Sequence, residues 1–121
     1  MEDMNLKNEI KRYSVNNGYP ISDCMAISCV CGSSEFHLYS DDDEGGAYII
    51  CADCGKEQDL ENSKKYIEEK VNNICTCDND RLMIGIGKAY YSDSKDPRWV
   101  YVGAKCNKCG LAGVYADWKE N

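Results

Sequence analysis

Cysteine thiols are the residues of this chain whose spacing points most directly to chemistry. Eight of the nine cysteines form four close pairs: Cys29/Cys31, Cys51/Cys54, Cys75/Cys77 and Cys106/Cys109. A CxC pair is followed by a CxxCG pair, and this order occurs twice. Two tight turns that each carry two thiolates can surround one ion tetrahedrally, which is the geometry of a structural zinc site. The sequence therefore predicts two zinc ions, one held by the first four of these cysteines and one by the last four.

Other uses of the cysteines fit the pattern less well. An odd count, two CxC pairs that make poor local disulfides, and an N-terminus without the apolar segment of a secretory signal favour metal over a disulfide framework. Iron in a rubredoxin-like site would call for CxxCG on both sides with a proline in the second turn, and neither repeat has these. A cross-braced arrangement, in which the first pair shares a metal with the third and the second with the fourth, uses the same ligands and stays open.

The residue after each cysteine pair also fits a metal-binding turn. A turn of this kind often requires positive φ just after its second thiolate, a conformation that costs glycine least and that Asp tolerates better than most residues. Glycine stands there three times, at Gly32, Gly55 and Gly110, and Asp78 takes the fourth place. We expect positive φ at all four positions.

On these motifs the chain resembles the zinc-ribbon fold group over roughly residues 28–118. The resemblance implies two structural zinc ions and gives no single biological role, because zinc ribbons occur in transcription factors, ribosomal proteins, nucleic-acid enzymes and protein adaptors. Four thiolate ligands per ion leave no open coordination position, and a single histidine, His37, excludes a histidine dyad. We therefore expect a protein that is not an enzyme.

The predicted fold is a small metal-stabilised α+β protein in which a helix joins two zinc ribbons. A short N-terminal helix and turn (1–20), with Leu6, Ile10 and Tyr13 on one side, is expected to pack on the first ribbon (21–58). Residues 59–74 have an apolar line at helical spacing and predict the connecting helix. The second ribbon (75–121) is expected to form a three-stranded antiparallel sheet.

Three single features receive ordinary structural interpretations. Cys24, which falls outside the pairs, could serve as a substitute ligand but is expected to be a small buried residue. His37 lies on an alternating strand and is expected to be a surface or cross-strand residue. Gly85 and Gly87 are expected to permit close backbone approach or a β-bulge, since the rest of a phosphate-binding loop is missing.

Charge is the main sequence indication of function. The formal charge of −7 becomes −11 when eight thiolates and two zinc ions are included. An acidic protein repels phosphate backbones and attracts basic proteins. The acidic loop, Asp41, Asp42, Asp43 and Glu44, is the predicted partner-binding segment, although a solvated loop tip would have the same composition.

Two functions from different classes follow. One is a basic protein partner, most concretely a toxin nuclease neutralised by an immunity-type inhibitor in a reducing cytoplasm, with no membrane association. The other is association with nucleic acid through aromatic and basic residues of the second ribbon. That set consists of Tyr90, Tyr91, Trp99, Tyr101, Tyr115 and Trp118 with Arg81, Lys88, Lys95, Arg98, Lys105 and Lys108.

Overall fold

The computed structural model describes residues 2–41, 45–61, 63–75, 77–90 and 97–119. In these residues an N-terminal helix, a short 3-10 turn (Lys64–Tyr66) and eight strands are formed. The helix is α1 (Glu2–Asn16). The strands are β1 (Asp23–Ala26), β2 (Phe36–Ser40), β3 (Ala47–Cys51), β4 (Glu57–Leu60), β5 (Val71–Asn73), β6 (Leu82–Tyr90), β7 (Pro97–Cys106) and β8 (Ala112–Lys119).

All strand pairs are antiparallel and belong to one sheet with the order β4-β3-β2-β6-β7-β8. The two halves of this sheet, β2–β4 and β6–β8, meet at a single residue pair, Phe36 with Leu82. Two further strands pair next to this junction, β1 with β6 and β5 with β2. The prediction of a small protein with an N-terminal helix, antiparallel strands and two clusters of four cysteines is confirmed, and the strands form one continuous sheet.

The predicted connecting helix is wrong. Residues 57–60 form β4, and Leu60, the last residue of that strand, is 1% exposed and pairs with Ala47. Ser63 then accepts the N–H of Ala47 and donates to the carbonyl of Leu60, and β5 begins at Val71. Val71, an apolar residue of the predicted helix, is 43% exposed. Long-range strand pairing outweighs the local helical pattern here, because propensity is a weak prior against tertiary contacts.

The repeat seen in the cysteines extends to the register of the strands. Phe36 pairs with Cys51 in the first ribbon, and Leu82 pairs with Cys106 in the second. The number of residues from Cys31 to Phe36 is the same as the number from Cys77 to Leu82. Phe36 and Leu82 are therefore equivalent residues that pair with each other. An antiparallel pair of equivalent residues is the signature of a local two-fold axis.

The strands that lead into the two ribbons are exchanged. β1 precedes the first ribbon but pairs with β6 of the second, where Met25 lies opposite Ile86. β5 precedes the second ribbon but pairs with β2 of the first, where Val71 lies opposite Ser40. These two pairs occupy equivalent positions in the repeat, so each ribbon depends on a strand from the segment before the other.

The main core is one cluster of buried residues that come from both halves of the sheet. Large side chains that are at most 1% exposed include Phe36, Leu38, Ile49, Leu60, Leu82, Ile84, Val100 and Val102. Cys51, Cys75 and Cys106 belong to the same cluster. Three of the eight paired cysteines are thus part of the apolar interior, which links the metal centres to the core.

Helix α1 packs on the second half of the sheet, which corrects the predicted contact with the first ribbon. Its Leu6 and Ile10 form a cluster with Tyr101 and lie directly above glycines of β6 and β7. A Cβ added to Gly103 would lie 2.6 Å from Ile10 Cγ1, and one added to Gly87 would lie 2.6 Å from Ile10 Cγ2. The close approach predicted for Gly87 is therefore confirmed, and it is made by this helix.

Candidate metal centres

The structure brings the first four predicted ligands together. The sulfur atoms of Cys29, Cys31, Cys51 and Cys54 all lie within 4.8 Å of one another. Cys29 Sγ is 3.5 Å from Cys54 Sγ, and Cys31 Sγ is 3.6 Å from Cys51 Sγ. Cys51 ends β3 and is 1% exposed, whereas Cys31 and Cys54 face solvent. This cluster is site 1.

The second four cysteines form an equivalent cluster, site 2. Their sulfur atoms also lie within 4.8 Å of one another, with 3.5 Å between Cys75 and Cys109 and 3.5 Å between Cys77 and Cys106. Cys75 and Cys106 are buried, and Cys109 is exposed. Ligands from adjacent pairs thus meet within one ribbon in both cases, which is the sequential arrangement and not the cross-braced one.

The sulfur spacing fits a metal ion. A tetrahedral ion with metal–sulfur bonds of about 2.3 Å needs sulfur atoms about 3.8 Å apart. The closest contacts of 3.5 and 3.6 Å approach that edge length, whereas a disulfide would need about 2.05 Å. All nine cysteines are free thiols. Each cluster can therefore hold one metal ion.

The same two backbone hydrogen bonds shape all four cysteine turns. In the first turn the N–H of Gly32 donates to the carbonyl of Cys29, and the N–H of Cys29 donates to the carbonyl of Ser33. The turns that begin at Cys51, Cys75 and Cys106 repeat this pattern. The residue after the second thiol has positive φ in every turn, with values of 94° at Gly32, 79° at Gly55, 73° at Asp78 and 83° at Gly110, as predicted.

One thiol in site 1 is much more acidic than its neighbours. The N–H of Cys54 donates to Cys51 Sγ at 3.4 Å and, against the opposing effect of burial, lowers the pKa of Cys51 to about 6. The N–H of Ser33 lowers the pKa of Cys31, but the adjacent sulfur atoms outweigh it and raise that pKa to about 12. The negative charge is therefore concentrated on the innermost sulfur.

Site 2 also has one thiol of lowered pKa and one of raised pKa, and it has one additional hydrogen-bond donor. Burial raises the pKa of Cys106, but hydrogen bonds from Asn79 Nδ2 at 3.3 Å and from the N–H groups of Cys109 and Lys108 outweigh it and bring the pKa to about 5. The pKa of Cys77 is raised to about 12 by the adjacent sulfur atoms, despite the N–H of Asn79. Cys51 in site 1 and Cys106 in site 2 are thus ionised near neutral pH, and a cation can bind first to these thiolates.

A polar bridge connects the two sites. Arg81 Nε lies 2.7 Å from Glu35 Oε1, and Arg81 Nη2 lies 2.7 Å from Asp53 Oδ1 in the CxxC turn of site 1. Glu35 Oε2 accepts a hydrogen bond from Asn107 Nδ2 in the CxxC turn of site 2. We call Asp53, Arg81, Glu35 and Asn107 the inter-site bridge. Sequence reasoning missed it, although Glu35 and Arg81 hold equivalent repeat positions with opposite charge.

Two other predicted features take ordinary roles. Cys24 is half-buried and belongs to neither cluster, and burial raises its pKa. His37 is also half-buried, and its Nδ1 contacts the carbonyl of Asp80 at 3.1 Å.

The acidic loop is only partly described. Asp41 is 5% exposed and accepts the N–H groups of Glu68 and Glu69 at 2.9 and 3.2 Å. Its carboxylate therefore fixes the turn before β5 and does not belong to an exposed acidic surface. The role of this loop in partner binding stays a prediction. Asp42, Asp43 and Glu44 lie outside the described residues.

The described aromatic and basic residues of the second ribbon are largely used within the fold. Tyr101 is fully buried below α1, and Trp99 stacks on Tyr19 with ring centroids 4.6 Å apart. Lys105 is 7% exposed, and Lys88 Nζ lies 2.7 Å from Glu61 Oε1. Arg81 belongs to the inter-site bridge. Tyr91 and Lys95 lie outside the described residues, as does the side chain of Arg98.

Comparisons with known proteins return no relative. No protein-family model, curated protein or solved structure matches this chain. Among the described residues, the helical segments are too short and too polar to cross a membrane.

Proposed function

We propose that this protein is a non-enzymatic, zinc-stabilised module that binds a basic protein partner. Its most concrete form is an immunity-type inhibitor that neutralises a toxin nuclease in a reducing cytoplasm. Zinc is the metal we propose for both sites, because four thiolates in tetrahedral reach suit it and a complete ligand set needs no water or substrate. A closed set of this kind stabilises structure and performs no catalysis.

A groove between β1 and β4 is the observation that supports partner binding best. It has a volume of about 230 Å³, and its apolar lining includes Ile27, Leu60 and Ile86. Sites for drug-sized ligands occupy roughly 300–1,000 Å³. The smaller volume therefore suits a single side chain of a partner protein.

The polar lining of the groove is mostly acidic. It includes Asp23, Asp59 and Glu61 together with one cation, Lys88, which is paired with Glu61. A lysine or arginine side chain could lay its aliphatic stem on the apolar lining and place its charge beside Asp23 and Asp59. The acidic lining of the groove and the chain's formal charge of −7 both favour a basic partner.

The test is co-expression with the product of the adjacent gene. If that product is a basic protein, the two should co-purify, and this protein should abolish its toxicity. In isothermal titration, a variant carrying Asp23→Asn and Asp59→Asn should bind at least about tenfold more weakly than the wild type. A control carrying Glu9→Gln and Glu69→Gln removes the same charge outside the groove and should lose less than about threefold.

The outcomes separate the parts of the proposal. A neighbouring product that neither binds nor is neutralised refutes the immunity form. Equal losses in the two double variants show that net charge alone acts and refute the groove. Metal analysis of the purified protein should return two zinc ions per chain, and fewer ions would refute the proposed cofactors.

A further inference from the structure

The two metal sites are built on shared structural elements. Site 1 needs the turn at Cys29, which is held in place by β1, and β1 pairs with β6 of the second ribbon. Site 2 needs the turn at Cys75, which follows β5, and β5 pairs with β2 of the first ribbon. A metal ion at either site therefore orders strands that the other site also requires.

The inter-site bridge adds a second connection at the CxxC turns. Asp53 lies between the site 1 ligands Cys51 and Cys54, and Asn107 follows the site 2 ligand Cys106. Arg81 and Glu35 join these two turns through side-chain contacts that end on Asp53 and Asn107. Asp53 is held further by Ser33, whose Oγ donates to it at 2.5 Å. The turn of one site is thus fixed partly by residues of the other ribbon.

We infer that the two sites load metal cooperatively, and that Arg81 and Glu35 are positioning residues that transmit this coupling. Binding of the first ion includes the free-energy cost of ordering the exchanged strands and both CxxC turns. The second ion then binds to turns that are already in place, which is positive cooperativity through shared ordering. This inference rests on the metal sites of the proposed function and does not involve the partner.

Native mass spectrometry of the whole chain at half-saturating Zn²⁺ tests the coupling directly. Independent and equal sites would place roughly half of the chains in the one-metal form. With a coupling of about tenfold or more, this form should fall well below one third, and the spectrum should be dominated by metal-free and two-metal chains. A one-metal population at or above half overturns the inference.

A titration with Co²⁺ gives a second readout. Cys54→Ser removes a ligand of site 1, and it should weaken Co²⁺ binding at the intact site 2 by at least about fivefold. Cys24→Ser is the matched control, because Cys24 is outside both clusters, and it should leave the thiolate-to-cobalt absorption unchanged. Equal affinity of site 2 in both variants overturns the coupling.

The role of the bridge is tested by Arg81→Gln with Arg12→Gln as control. Arg12 pairs with Glu9 on α1 and touches neither site. Arg81→Gln should raise the one-metal population toward half while both sites still fill at excess Zn²⁺, and Arg12→Gln should leave the wild-type distribution. A residue that merely stabilises the fold would not change this distribution at a constant final stoichiometry. If Arg81→Gln keeps the wild-type distribution, the assignment of Arg81 as a positioning residue is refuted. A chain that binds no metal at all would instead contradict the proposed cofactors.

Discussion

Replacing Gly103 with alanine should destabilise the protein through a steric clash with helix α1. The added Cβ would lie 2.6 Å from Ile10 Cγ1 and 2.7 Å from Ile10 Cδ1. Favourable carbon–carbon contacts lie at about 3.5–4.0 Å, so the helix or the strand must move by roughly 1 Å. Ile10 is 0% exposed and has no solvent space to enter. Overpacking of this kind costs about 1–3 kcal/mol.

The measurement is urea and thermal unfolding with excess Zn²⁺, so that the metal contributes equally to every variant. For a chain of this length a loss of 1 kcal/mol lowers Tm by about 4 °C, which predicts a decrease of about 4–12 °C. Gly113→Ala is the matched control, because Gly113 lies in β8 and a Cβ there would meet nothing within 4 Å. Its free energy of unfolding should change by no more than about 0.5–1 kcal/mol.

A double-mutant cycle identifies the contact itself. Ile10→Ala alone should cost about 2–5 kcal/mol, because it leaves a cavity below the helix. In the double variant the alanine Cβ at position 103 partly fills that cavity, so the combined loss should be at least about 1 kcal/mol smaller than the sum of the single losses. Additive losses, or equal effects of Gly103→Ala and Gly113→Ala, would refute the proposed packing of α1.

Further predictions concern the metal and the turns. Chelation of the metal should unfold the chain, because a structural zinc site contributes an apparent ~10–16 kcal/mol and whole domains are stable by only about 5–15 kcal/mol. Circular dichroism measures this unfolding, and a chelated chain that keeps the spectrum of the folded protein would contradict the prediction. Asn79→Ala should raise the pKa of Cys106, since it removes a donor to the thiolate, and in an acid titration Zn²⁺ should then be released at a higher pH than from the wild type. Asp41→Ala should lower the free energy of unfolding by about 1–3 kcal/mol because it removes the charged acceptor of two part-buried backbone N–H groups. Asp23→Ala should change this free energy by less than about 0.5 kcal/mol.

Local features of the fold were predictable because short segments determine them. The ligand spacing and the positive φ after each pair depend only on residues inside one turn, and Gly32 and Asp78 fit this requirement equally. The strands beside Cys51 and Cys106 are marked by apolar runs that enter the turns. Both clusters therefore contain the ligands that the sequence indicated.

Long-range relations were not predictable from the same patterns. Residues 59–74 have helical spacing, but the burial of Leu60 and the pairing of β4 with β3 and of β5 with β2 outweigh this local pattern. The position of α1 on the sheet depends on Gly103. The need for a glycine at this position cannot be recognised until it is known that the helix packs on it. No local sequence pattern indicates the exchange of β1 and β5, since either strand could pair with its own ribbon.

Glu35 and Arg81 depart from the two-fold symmetry of the repeat, because equivalent positions carry opposite charges. Two identical chains assembled about a two-fold axis would carry the same residue at both positions, and two glutamates or two arginines facing each other would repel. Tandem fusion of the ribbons into one polypeptide lifts this restriction, because each copy can change by itself. An ion pair joins the equivalent positions here, with Arg81 Nε 2.7 Å from Glu35 Oε1. A form divided into two separate identical ribbons would lose this pair and would meet like charges at its centre.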